Sequence, residues 1–312
     1  MVSKEGGDKE CILYFRKKGF IYFSINIYKI KMISENPICI HKYLTVCKTD
    51  YLSPGFGDWL RGTVTLWNYC KKYDFTLFID KDVHPIFSYL QENESLITDP
   101  ITNRDVEEWY YPTTYEEIDE KIKKLFEKNE SFAILTNGVY VPLDSNDYYG
   151  PILRECKDWL KQVLTPTTEL TQSIQNVYNT LGINLEQSYR VIHLRLGDNY
   201  LHNNTIEDYS YLDEINDRIQ HTLRTENEYN YILLCDTSSF ALELKNRNPN
   251  LFYWDNKKIH TGELQYDKKK VGVKDTLIDF FIMSKAIHIM SIFDSGFSKM
   301  ISNIYDITYY RI

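Results

Sequence analysis

A chain of 312 residues, 43% hydrophobic and 26% charged, is long enough for two globular domains with sizeable cores and needs no disulfide staples. Its formal net charge of -8 argues against a nucleic-acid backbone as the main partner, yet leaves room for one phosphorylated small molecule held by a local arginine. None of the six cysteines falls in a C-x-x-C pair, so no zinc or redox motif is visible, and reduced thiols in a cytoplasmic setting are expected.

The first 31 residues stand apart. Arg16, Lys17 and Lys18 precede an apolar run over 19–28 that is too short to span a bilayer and is followed closely by Lys29 and Lys31. Residues 1–31 are read as an N-terminal extension, either disordered or artefactual, with Met32 as a second possible start; a signal anchor within 11–31 is the other reading, and no stable membrane span is expected. From Lys42 the pattern settles. An apolar run over 43–47 suits a buried strand, the turn 53–58 follows, and Leu60, Val64, Trp67 and Cys70 recur at helical spacing before a second strand over 75–79. Residues 116–128 form a charged helix with a solvated face, 131–135 a strand, and 151–164 and 168–181 two helices separated by Pro166. The second half alternates more regularly. Strands are expected over 189–194, 231–235, 251–254 and 287–292, helices around 212–223, 238–245 and 277–282, and a closing helix over 297–304. Such alternation calls for parallel sheets covered on both faces. The expected fold is α/β, with two Rossmann-like domains, residues 32–165 and residues 166–312.

Ligands of open parallel sheets bind beyond the carboxyl ends of the strands, so the residues just after each strand carry the functional reading. Gly55, Phe56, Gly57 and Asp58 form a glycine-rich strand-to-helix turn, with Arg61 one turn further on. It is neither a dinucleotide fingerprint, because position 60 is Leu60, nor a P-loop, because Thr63 follows Gly62. As a plain turn, it would use Asp58 as a helix cap. The strand 189–194 delivers His193 and Arg195, two residues apart and so on one side of the chain, ahead of Gly197 and Asp198. Arg195 could grip a pyrophosphate bidentately, or merely pair with Asp198 to fix the loop. Asp236 and Thr237 follow the next strand as a helix cap or a ligand contact. Ser295, Gly296, Phe297 and Ser298 open the last helix with either capping hydroxyls or donors aimed at a phosphate or sugar.

Together, H-x-R-x-G-D after a strand, a later strand ending in Asp-Thr, and the Ser-Gly-Phe-Ser stretch near the C-terminus resemble the three-motif signature of the GDP-fucose-dependent fucosyltransferases, the α1,2-, α1,6- and protein O-fucosyltransferases. The resemblance spans about residues 42–302 but is specific only in these blocks. It implies a GT-B-like arrangement of two sheets facing a central cleft, and an inverting, metal-independent transferase taking GDP-fucose to a glycan or protein hydroxyl. No cofactor beyond the donor and no metal is implied. It carries Arg195 over as the arginine on the β-phosphate, with His193, Gly197, Asp236, Thr237, Ser295, Gly296, Phe297 and Ser298 on the donor side. Gly55, Phe56, Gly57 and Arg61 then face the sugar or acceptor, and Asp58 deprotonates or orients the acceptor. The chain departs from the α1,2- and α1,6-type pattern in having Leu196 where a second arginine often stands, and from the protein enzymes in having Asp58 where asparagine is usual. Two other readings stay open: another nucleotide-sugar donor on the same fold, or a non-catalytic glycan- or nucleotide-binding module.

Overall fold

The computed structural model describes residues 36–45, 55–99, 106–108, 115–137, 152–184, 187–196, 210–255, 271–292 and 295–312. The N-terminal half runs β1 (Ile38–Lys42), α1 (Phe56–Tyr73), β2 (Thr76–Asp80), a 3-10 turn (Pro85–Tyr89), β3 (Leu96–Ile97), β4 (Val106–Glu108), α2 (Tyr115–Glu127) and β5 (Phe132–Leu135). Its strands pair in the order β3-β2-β1-β5-β4, all parallel. The helices α3 (Arg154–Val163) and α4 (Thr168–Leu181) lead into β6 (Tyr189–Leu194), α5 (Ser210–Thr225), β7 (Asn230–Cys235), α6 (Ser238–Arg247), β8 (Leu251–Tyr253), α7 (Val271–Ser284), β9 (His288–Ser291), α8 (Gly296–Tyr305) and β10 (Thr308–Arg311). This second sheet, ordered β10-β9-β6-β7-β8, is also wholly parallel. The α/β fold with two parallel sheets is therefore as expected.

Burial on both faces explains the composition of the central strands. All six residues of β6 are buried. Val191 packs into a core shared with α4, α7 and α8, while Ile192 and Leu194 pack under α5 and α6. Each fully buried aliphatic of this kind contributes roughly 1.5–3 kcal/mol. The first of these cores is continuous with the N-terminal half, because Tyr43, Phe56 and Trp59 belong to it together with Phe280 and Met300. Two of its tyrosine hydroxyls are paired. The Tyr189 hydroxyl donates to the Ile282 carbonyl at 2.7 Å and lies 2.6 Å from the Tyr178 hydroxyl, which ties β6 to α7 and α4. Burial pushes both phenols up, Tyr178 to about 12.

Several boundaries differ from the sequence reading. The first strand is not 43–47 but Ile38–Lys42. His41 interrupts the apolar run there, yet it is completely buried and hydrogen-bonded. Beyond the strand, Leu44 is held by the Asn137 side chain, which accepts its N–H at 2.6 Å and donates to its carbonyl at 2.5 Å. The charged helix α2 is not merely solvated, since it buries Ile122, Leu125 and Phe126 against α1 and β5. The closing helix is followed by the edge strand β10, where Thr308, Tyr310 and Arg311 are exposed, so no apolar run marks it. Strands β3 and β4 have two and three residues, too few for a periodic signal. Residues 1–31 lie outside the described residues. No helix among the described residues is long and apolar enough to cross a membrane.

Candidate active site

In each sheet the chain leaves one strand in one direction and later returns on its other side, at β1 in the first sheet and at β6 in the second. Crevices for ligands form at such switch points. Arg195 stands directly beyond β6. Its Nη1 donates to Asp236 Oδ2 at 3.0 Å, and the second oxygen of Asp236 accepts the Leu196 N–H at 3.0 Å. The Asp236 N–H in turn donates to the Leu194 carbonyl at 3.2 Å, so the tips of β6 and β7 are laced together. The arginine side chain is 29% exposed and the aspartate 7%: a buried carboxylate orients a guanidinium that still reaches the surface. The sequence left two explanations for Asp236, cap or ligand contact, and the structure provides a third. The N-cap of α6 is Thr237, with no side-chain capping bond, and Asp236 braces Arg195 instead. Thr237 is completely buried with its hydroxyl 3.4 Å from Asp236.

The strand next to β6 is β9, and the chain beyond it starts α8 at Gly296. Ser295 is the N-cap, without a side-chain capping bond, and Ser298 is buried with its hydroxyl 3.4 Å from the Ser295 carbonyl. His193 is buried, its ring 6.1 Å from that of Phe297, and its carbonyl accepts the Ser291 hydroxyl at 2.8 Å. Gly197 and Asp198 lie outside the described residues.

The first-turn residues after β1 are not a loop but the start of α1, with Gly55 as N-cap. Asp58 therefore does not cap the helix; it pairs with Arg61 one turn along. Phe56 is 2% exposed, and its ring packs against Trp59, Phe280 and Phe297. Gly57 explains itself geometrically, because a methyl group there would stand 2.6 Å from the Phe297 nitrogen and 2.7 Å from its Cα. The beginnings of α1 and α8 thus touch backbone to backbone, bringing the helix that follows β1 against the helix that follows β9, the neighbour of β6. Gly57→Ala should destabilise the fold by about 1–3 kcal/mol, since the obstacle is main chain and cannot rotate away. Gly296→Ala, whose added methyl meets its nearest neighbour at 3.6 Å, should change stability by under about 0.5 kcal/mol. Denaturant unfolding of both variants checks this; equal stabilities would contradict the close approach.

One cluster at the carboxyl end of the first sheet was not anticipated. Lys42 ends β1 and pairs with Asp80 at 3.1 Å and Asp99 at 2.5 Å, both carboxylates being 4% exposed. Burial alone would pull the Lys42 ammonium down; the hydrogen bonds and charges of Asp99 and Asp80 outweigh it and hold the pKa above its ordinary value. The signal was present in Asp80, an acid closing an apolar strand, but its partner lies in a strand whose position was misread.

No protein-family profile matches this sequence, and no curated protein is significantly similar to it. Solved structures are similar. The fucosyltransferase NodZ from Bradyrhizobium superposes with a TM-score of 0.53 at 14% identity, over 85% of this chain and 92% of that one. The apo form of POFUT1 gives 0.54 at 11% identity, over 89% and 98%. A variant of Arabidopsis thaliana FUT1 in complex with GDP gives 0.53 at 12% identity, over 93% and 74%. The chain has the two-sheet α/β fold of these fucosyltransferases.

Proposed function

We propose that the chain is an inverting, metal-independent glycosyltransferase that takes GDP-fucose to a hydroxyl of a glycan or protein. The observation that carries this reading is Arg195, set at the tip of a switch-point strand and oriented by a buried Asp236. Its support from the fold is that neighbours sharing the architecture were crystallised with GDP or GDP-fucose.

The chemistry follows from where charge develops. The acceptor oxygen attacks the anomeric carbon as the bond to the β-phosphate oxygen breaks, and the bonding pair leaves with the diphosphate. The sugar passes through an oxocarbenium-like state. Arg195 neutralises the charge on the leaving group, and the first N–H groups of α8, at Gly296 and Phe297, add their dipoles. Asp58 is the carboxylate assigned to the acceptor proton. His193, fixed beneath Phe297, shapes the floor beside Arg195.

The test is donor profiling of the purified chain with GDP- and UDP-sugars, reading released nucleotide. GDP-fucose should be turned over in preference to the others. Preference for a different sugar nucleotide would reassign the donor, and tight donor binding with no turnover in the presence of any acceptor would favour a non-catalytic binding module. A chain that neither binds nor cleaves any nucleotide sugar is not a transferase.

A further inference from the structure

Arg61 belongs to the first sheet's helix, yet its guanidinium lies where the second sheet's helix begins. A methyl on Gly296 would stand 3.6 Å from both its Cζ and its Nη2, and 3.7 Å from Asp58 Oδ1. The Asp58–Arg61 pair is therefore wedged between α1 and the first residue of α8, with the arginine side chain 12% exposed and the aspartate 30%. An i,i+3 pair on an open surface contributes little. A guanidinium enclosed to this degree carries a desolvation cost that its partner must offset, which makes the pair sensitive to any other anion entering the space. Strand β9, which leads into Gly296, is hydrogen-bonded to β6, which leads into Arg195, so both guanidinium groups stand at the carboxyl ends of adjacent strands. Each is held at rest by an aspartate. A nucleoside diphosphate carries more negative charge than one arginine neutralises, and the residue after Arg195 is Leu196.

We propose that Arg61 is the second cation for the donor diphosphate and that Asp58 is its resting counter-ion, released by donor binding to receive the acceptor proton. The inference rests on the transferase reading above. On donor binding, a diphosphate oxygen replaces the Asp58 carboxylate on Arg61. In the transfer step the acceptor oxygen bonds to the anomeric carbon, and the anomeric carbon–phosphate oxygen bond breaks with its electron pair going to the nucleoside diphosphate. The acceptor proton goes to Asp58. Both arginines then bear on the leaving group, and the base is freed from Arg61 only once a donor is present, so binding is ordered with donor first. That order keeps the reactive carboxylate masked in the unloaded protein.

The experiment is calorimetric titration with GDP, alongside transfer rates from GDP-fucose, for wild type, Asp58→Asn, Arg61→Ala and Arg61→Lys. Asp58→Asn removes the competing charge and should bind GDP about tenfold more tightly while transferring about a hundredfold more slowly. Arg61→Ala should bind GDP about tenfold more weakly, and Arg61→Lys, which keeps the charge but not the fork, should fall between it and wild type. Product inhibition by GDP should be competitive with the donor. If Asp58→Asn and Arg61→Ala change GDP affinity in the same direction, the pair only braces the helices and the inference is overturned. The lysine variant keeps the comparison valid should the alanine variant fold poorly. A wild-type chain that binds no GDP overturns the transferase reading itself, whereas wild-type binding with parallel changes in the two variants overturns this inference alone.

Discussion

Replacing Arg195 by alanine is expected to slow transfer by about a hundredfold or more, the effect of removing one pre-placed donor to developing negative charge. The loss should appear in kcat, because the charge it meets grows as the glycosidic bond breaks and is largest at the transition state. The substitution also leaves the Asp236 carboxylate, 7% exposed, without its guanidinium. A stability loss could therefore mimic a catalytic one. Arg195→Lys separates the two: it keeps a cation beside Asp236 but not the planar fork that matches a diphosphate, and should retain the fold while losing about tenfold in rate. Steady-state kinetics with unfolding curves on both variants would decide the matter, and near-normal turnover in the folded alanine variant would take Arg195 out of the mechanism.

The second large effect concerns stability. His41 is completely buried in β1, stacked on Trp59 with ring centroids 5.2 Å apart. Its Nε2 lies 2.9 Å from the Thr136 carbonyl and its Nδ1 3.0 Å from the Thr63 hydroxyl, so it bolts α1 to the sheet that positions it. Burial lowers its pKa to about 4, against a smaller opposing pull from the Thr136 carbonyl. The neutral ring then carries its proton on Nε2, facing the Thr136 carbonyl, while Nδ1 faces the Thr63 hydroxyl, which also lies 2.9 Å from the Trp59 carbonyl. Because the folded pKa lies below the ordinary 6.5, the unfolded chain takes up a proton across the interval between them while the folded chain does not. The stabilisation is complete above pH 6.5 and is lost as the pH falls toward 4, about 2 kcal/mol of it by pH 5. His41→Gln should be weaker than wild type at pH 7.5 yet lose about 2 kcal/mol less between pH 7.5 and 5, by urea titration. Parallel slopes for the two proteins over that range would show that His41 does not titrate this way.

The parts legible in the sequence were those written in local periodicity. Strand 189–194 was placed to the residue, because Tyr189, Val191, Ile192 and Leu194 mark a buried strand despite Arg190 and His193 between them. The glycine turn, the arginine after β6 and the opening of α8 were likewise visible as strand-end chemistry. Beyond the short or exposed strands β3, β4 and β10, the misses depend on partners far along the chain. His41 reads as a break in a strand until Thr63 and Thr136 are beside it. Asp236 reads as a cap until Arg195, 41 residues earlier, is seen to use it. The motif likewise says nothing of where the Phe56 ring goes, which the packing of Phe280 and Phe297 decides.

The contact at Gly57 also sets how the molecule can move. With no side chain between the two main chains, there is nothing compressible at that point, and neither helix can slide along the other without collision. Relative motion of the two sheets must then be rotation with that spot as fulcrum. Displacement grows with distance from it, so segments far from Gly57 can shift more than the backbone beside it, that of Asp58 and Arg61 included.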